Sequence, residues 1–238
     1  MAEVLASQLD GPPVKRPIFS GNPRKHHARV PPLLVEPDSV FLNIPYDQRF
    51  SRLYRAYIVG LVELGLTPKA TLGIPGGRNQ LERIFDLIQT CRYSLHDLSR
   101  VELDRTPPPT PRFNMPLELG LAIAWEKLHA GRHTWFVYET VNRRAQKSIS
   151  DLNGVDFNIH DGSPEGVMRE LRNCFVRRKQ SPDLPRMLHT YGKLNRLVPA
   201  LLQQTGAKTL FEASIFDALI TMSARLRGNE AAIGSAAG

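Results

Sequence analysis

The chain is poor in cysteine, with two residues, Cys91 and Cys174, in 238. A disulfide-dense scaffold is excluded, and the two thiols read as buried side chains within helices of a cytoplasmic protein. No run of about 18 apolar residues exists, so no membrane span is expected. The N-terminus lacks a basic segment followed by an apolar core, so no secretory leader is expected. No Cys/His set has zinc spacing, which argues against a metal site. Gly76-Gly77 lacks the spacing of a dinucleotide fingerprint or a P-loop. No internal repeat is visible. Acids are the scarcer charge, 23 against 31 Lys and Arg, for a net charge of +8. That balance favours anionic partners such as nucleotides. Much of the excess lies in residues 15–29, which hold Lys15, Arg16, Arg24, Lys25 and Arg29 and no acid. No aromatic-interleaved basic motif accompanies it, so nucleic acid is not the expected main partner.

What is present divides the chain in three. Residues 1–38 are rich in proline and basic side chains and show no apolar periodicity, which reads as an extended arm without a core. Residues 39–178 alternate short apolar runs with amphipathic stretches. Apolar runs at 40–44, 67–72, 93–98, 134–138 and 155–160 read as strands. Helical spacing is seen at 50–64, 81–91, 116–128 and 164–176, with a shorter stretch at 145–152. Such alternation implies an α/β fold with a parallel sheet covered on both faces. The expected arrangement is a flavodoxin-like three-layer sandwich of five strands in the order 2-1-3-4-5. Residues 179–238 carry two apolar helical stripes, at 184–201 and 211–226, and read as a C-terminal helical extension. The stripes serve either packing on the domain or self-association, and a homo-oligomer is expected.

In such a sheet a ligand lies beyond the carboxyl ends of the strands, where the strand order reverses between strands 1 and 3. The loop after strand 1 carries Asn43, Tyr46, Asp47 and Arg49. The loop after strand 3 carries Asp97, Ser99 and Arg100. Further on, Asn114-Met115-Pro116-Leu117-Glu118 leads into a helix. With Pro116 at the first helical position, Met115 is the N-cap and Glu118 lies in the first turn. A carboxylate there either stabilises the helix end or is presented to a ligand over it. Asp97 and Asn114 have plain alternatives as turn and cap residues, and Arg49 and Arg100 as solvated charges. His96 and Trp125 read as packing residues.

Asp97-Leu98-Ser99, together with Asn114 and Glu118-Leu119-Gly120-Leu121-Ala122, resembles a paired pattern, D-L-S … N-x-x-x-E-L-G-x-A. That pattern is found in the TIR-like and nucleoside 2-deoxyribosyltransferase-like superfamily of nucleotide-binding domains. The resemblance spans roughly residues 39–178. It implies that Glu118 attacks or stabilises the anomeric carbon of a ribose during cleavage of an N-glycosidic bond. Asp97 or Asn114 would hold hydroxyls, and Ser99, Arg100 or Arg112 would meet phosphate. NAD or a related nucleotide would enter as substrate or ligand, with no further cofactor, and bacterial defence is one implied setting. The alternatives are a non-catalytic nucleotide-sensing module and a deoxyribosyltransferase-like enzyme. Pro111-Arg112-Phe113-Asn114 departs from the usual approach to the glutamate in such transferases.

Overall fold

A computed structural model of the chain describes residues 34–73, 79–101, 107–178 and 181–236, with side chains to residue 228. Most of the basic arm and the Gly76-Gly77 loop lie outside the described residues. The fold is α/β. Five parallel strands, β1 (Glu36–Asn43), β2 (Thr67–Lys69), β3 (Cys91–Asp97), β4 (Thr134–Glu139) and β5 (Asn158–Ile159), pair in the order 2-1-3-4-5. The register sets Asn43 beside His96, and Asp97 beside Tyr138.

The described residues form six α-helices: α1 (Ser51–Glu63), α2 (Gln80–Thr90), α3 (Asn114–Leu128) and α4 (Pro164–Cys174), which flank the sheet, and α5 (Leu184–Thr205) and α6 (Ala213–Ala236), which pack outside α1. Val40, Leu42 and Leu95 pack towards α1 and α4. Phe41 and Cys91 pack towards α2 and α3. Val40, Phe41 and Leu42 show the period-2 alternation of a strand with both faces covered, while Cys91 sits at the junction of α2 and β3.

α1 ends with Gly65 at φ 72°, where the N–H groups of Gly65 and Leu66 return to the carbonyls of Val62 and Leu61. Eleven of its thirteen residues are buried, because α5 and α6 cover the side of α1 that the sheet does not. On its other flank Gly60 makes the close approach of α4 possible: a Cβ there would stand 2.5 Å from Leu171 Cδ1. Met187, Leu194, Ile215, Phe216 and Leu219 complete the same core. Buried Glu63 accepts from Thr190 Oγ1 at 2.7 Å, with Arg186 Nε 3.3 Å from its other oxygen. The two C-terminal stripes are therefore used within the chain, as part of the core of residues 39–178.

Several boundaries differ from the sequence expectation. Cys91 opens β3 instead of ending a helix, while Cys174 ends α4; both are free thiols. The stretch 145–152 forms two single 3-10 turns. The fifth strand is only two residues long. α6 continues past Gly228 to Ala236. No helix among the described residues is long and apolar enough to cross a membrane.

Candidate functional site

A cavity of about 320 Å³ opens at the carboxyl end of β1. This is the strand-order reversal at which open α/β sheets place ligands. One wall is the end of β1 and its loop, from Phe41 to Tyr46. The second is Thr71 and Gln80, which bring the loop after β2 and the start of α2. The third is Arg112, Asn114, Met115 and Glu118, at the entry to α3.

α3 begins two residues earlier than the proline rule places it. Phe113 is the N-cap, with no side-chain cap bond, and Asn114 is the first helical residue. Pro116 is the third. It is tolerated because the first N–H groups of a helix have no intrahelical partner to lose. The first turn holds no acid, so Glu118 is not a capping residue; it lies one turn in, above Asn114. Its side chain is 8% exposed, and it is the one acidic side chain among the cavity's lining residues. Burial pushes its carboxyl up to about 7, against a smaller downward pull from the Asn114 side chain. Near neutral pH it is present both charged and neutral. It can therefore take or give a proton, or answer a developing positive charge.

Tyr46 lies on the same wall. Its hydroxyl donates to the Leu42 carbonyl at 2.9 Å. Burial first, then Tyr54 and Glu118, raise its pKa well above the usual value, so it stays a neutral donor. Its ring meets Tyr54 at 6.1 Å and Phe211 at 6.2 Å between centroids. Phe211 belongs to the α5–α6 connection, so the C-terminal helices reach the cavity wall.

Asp47 ties the mouth together. One oxygen accepts from the Phe50 N–H at 3.1 Å. The other lies 3.2 Å from Arg112 Nη1 and 3.6 Å from Arg100 Nη2. Asp47 thus brings two guanidinium groups together at the entrance. Asp47 serves here as the tether of the arginines rather than as a ligand contact. Asn43 lines the cavity at the end of β1. Arg49 is exposed at the end of a 3-10 turn and is not among the lining residues.

Asp97 is placed differently from the expectation. It shares a strand face with Tyr93 and Leu95, towards α1, while Asn43 and Glu118 lie on the α2/α3 side. It is 0% exposed. Tyr57 donates to it at 2.8 Å and the Ser99 N–H at 2.8 Å. His160 Nε2 lies 3.1 Å away, off the line of a hydrogen bond. Ser99 is buried as well, and its carbonyl accepts from Arg144 at 2.7 Å. The Asp97-Leu98-Ser99 half of the motif thus anchors the loop beneath the crevice, and neither Asp97 nor Ser99 lines the cavity. Thr71 and Gln80 do line it and were not anticipated. The signal for Gln80 is Asn79, which caps α2 through the Glu82 N–H at 2.8 Å and so aims that helix start at the crevice. No group of His, Cys, Asp and Glu among the described residues is arranged to hold a metal ion.

Comparison of the chain with family models, with curated proteins and with solved structures returns no significant match.

Proposed function

We propose that the chain binds a nucleotide in this cavity and cleaves its N-glycosidic bond, with NAD or a related pyridinium nucleotide as substrate. The observation behind this reading is the position of Glu118: buried at the strand-order reversal, apart from any helix-capping duty, beside a mouth held by two arginines. Cleavage at the anomeric carbon passes through an oxocarbenium-like sugar, which an adjacent carboxylate stabilises or captures. A neutral nucleobase needs protonation to leave and so calls for a second acid. Nicotinamide leaves a pyridinium ribose as a neutral molecule without it. Glu118 is the single carboxyl that lines the site among the described residues, which suits a pyridinium ribose best. The substrate's own positive charge would draw Glu118 towards its ionised form on binding. A cavity of about 320 Å³ holds a ribose with one ring, and the phosphates would extend towards Arg112 and Arg100. The resemblance to TIR-like and deoxyribosyltransferase-like domains points the same way.

A second reading, a nucleotide-sensing module, has one observation in its favour. Tyr46 joins the cavity wall to Phe211 and so to α5 and α6, a contiguous route from ligand to helical surface. Purified protein incubated with NAD, with nicotinamide release followed, separates the two. Release by the wild type and its loss in Glu118→Gln supports the enzyme. Saturable NAD binding without release supports the sensor. Neither binding nor release overturns both.

A further inference from the structure

A chain of buried polar groups runs from the cavity along β3 to the opposite end of the sheet, and the reaction above makes no use of it. Asn43 Nδ2 lies 2.9 Å from His96 Nδ1 and 3.4 Å from the Met115 carbonyl oxygen. His96 Nε2 lies 2.9 Å from Ser94 Oγ. Ser94 Oγ lies 2.8 Å from His133 Nε2. His133 Nδ1 lies 2.9 Å from the carbonyl oxygen of Cys91, the first residue of β3. Asn43, Ser94, His96 and His133 are all at most 3% exposed.

The far end dictates the direction of every bond. A carbonyl only accepts, so His133 carries its proton on Nδ1 and offers a bare Nε2. Ser94 must donate its hydroxyl to that nitrogen, and its oxygen then accepts from His96 Nε2–H. His96 Nδ1 is left as an acceptor, so Asn43 must present its NH2 group. Met115, whose carbonyl takes the other amide hydrogen, demands the same orientation. Burial keeps both imidazoles neutral, since it lowers His133 and brings His96 down to about 3. The Asn43 carbonyl oxygen accepts from no described residue.

We propose that His96 is a positioning residue: through this relay it fixes the Asn43 amide with its carbonyl oxygen towards the cavity, which makes the floor beside Glu118 an acceptor for a hydroxyl of the ligand's sugar. The relay itself is independent of the nucleotide reading; the identity of the hydroxyl rests on it. A site built to accept from a hydroxyl rejects an analogue that lacks it, because the buried acceptor is then left unpaired.

Two-bond 15N–1H spectra of the ligand-free protein report the histidine tautomers. The expected result is a proton on Nε2 of His96 and on Nδ1 of His133. In Asn43→Asp, which offers only acceptors, His96 must place a proton on Nδ1. The Cys91 carbonyl still holds His133 in its Nδ1–H form, so His96 keeps Nε2–H towards Ser94 and becomes doubly protonated against the new carboxylate. A wild-type His96 protonated on Nδ1, or an Asn43→Asp variant whose His96 still has a bare Nδ1, overturns the proposal. A merely space-filling His96 would show neither the fixed tautomer nor the coupled change. In calorimetry on the wild type, NAD should bind at least about tenfold more tightly than its analogue lacking the 2′ and 3′ hydroxyls of the nicotinamide ribose, the effect of one unpaired buried acceptor. Equal affinities overturn the sugar contact. Failure of NAD itself to bind, with the tautomers as stated, refutes the nucleotide reading and leaves the relay standing.

Discussion

The end of β3 and the second turn of α3 each carry a buried carboxyl, and the protein treats them in opposite ways. Asp97, on the α1 side, is fully enclosed and takes hydrogen bonds from Tyr57 and from the Ser99 N–H. Glu118, on the α2/α3 side, faces a cavity with only the Asn114 side chain to help it stay ionised. Around Asp97 two helical layers, α1 with α4 and then α5 with α6, shut out water. Around Glu118 one layer suffices, and Leu117 and Phe113 beside it are exposed. A carboxyl whose oxygens are supplied by the fold is an anchor. One that is buried and left short of donors is a destabilising feature that folding alone does not need, and such groups concentrate at functional sites.

The contrast is sharpest in a paired substitution. Glu118→Gln removes the charge and keeps the shape, so NAD cleavage should fall ~10²–10³-fold, the size of losing a principal electrostatic stabiliser. Nicotinamide release under saturating NAD reads it; full activity would break the assignment of Glu118. Asp97→Ala should act on the fold instead. It leaves the Tyr57 hydroxyl and the Ser99 N–H without a partner inside the core and should cost about 3 kcal/mol in urea denaturation. A loss below about 1 kcal/mol would show that Asp97 is not the anchor described.

Stability against pH gives a further test of Glu118. The Glu118 carboxyl titrates near 7 in the fold and near ~4.3 in an unfolded chain. Between those values the folded protein holds more proton than the unfolded one. Wild-type stability should therefore decline as pH rises through that window, by at most about 4 kcal/mol. Glu118→Gln lacks this decline, so it should melt higher than wild type at pH 8 and converge with it near pH 4.5. Calorimetric scans across the range test this, and a variant that melts lower at pH 8 contradicts it. The smallest effect is expected at the mouth. Arg112→Ala should weaken NAD binding ~10-fold through one lost charge-assisted contact, with the affinity for nicotinamide riboside, which has no phosphate, left alone. Equal losses for both would place the phosphates elsewhere.

The sheet order and the location of the crevice were legible in the sequence because they depend on long signals. Alternating strands and helices leave few topologies, and the reversal between strands 1 and 3 follows from the order. What was not legible depends on single residues. Pro116 gives no signal that distinguishes the first helical position from the third, since neither position requires its N–H. That shift of two residues moves Glu118 from the helix end to the cavity wall. Asp97 and His96 are adjacent in the sequence, and only strand parity decides which of them faces the α3 side. The pairing of Asn43 with His96 is a matter of sheet register. The contribution of Phe211 depends on how α5 and α6 fold back over α1, which their stripes announced only as apolar surface in need of cover.

The edges of the sheet bear on how copies of this chain can meet. β2 contributes three residues to one edge, with Pro68 in the middle, and β5 contributes two to the other. A proline offers no N–H to an incoming strand, and a two-residue ladder gives such a strand little to align on. Growth of the sheet from one molecule into the next is thereby discouraged at both ends. Contacts between copies are left to side chains on helices, where the exposed Leu81, Leu117 and Leu128 of α2 and α3 stand. Any assembly made in that way would be governed by the shape of those helices and would remain reversible, unlike a continuous ladder of backbone hydrogen bonds.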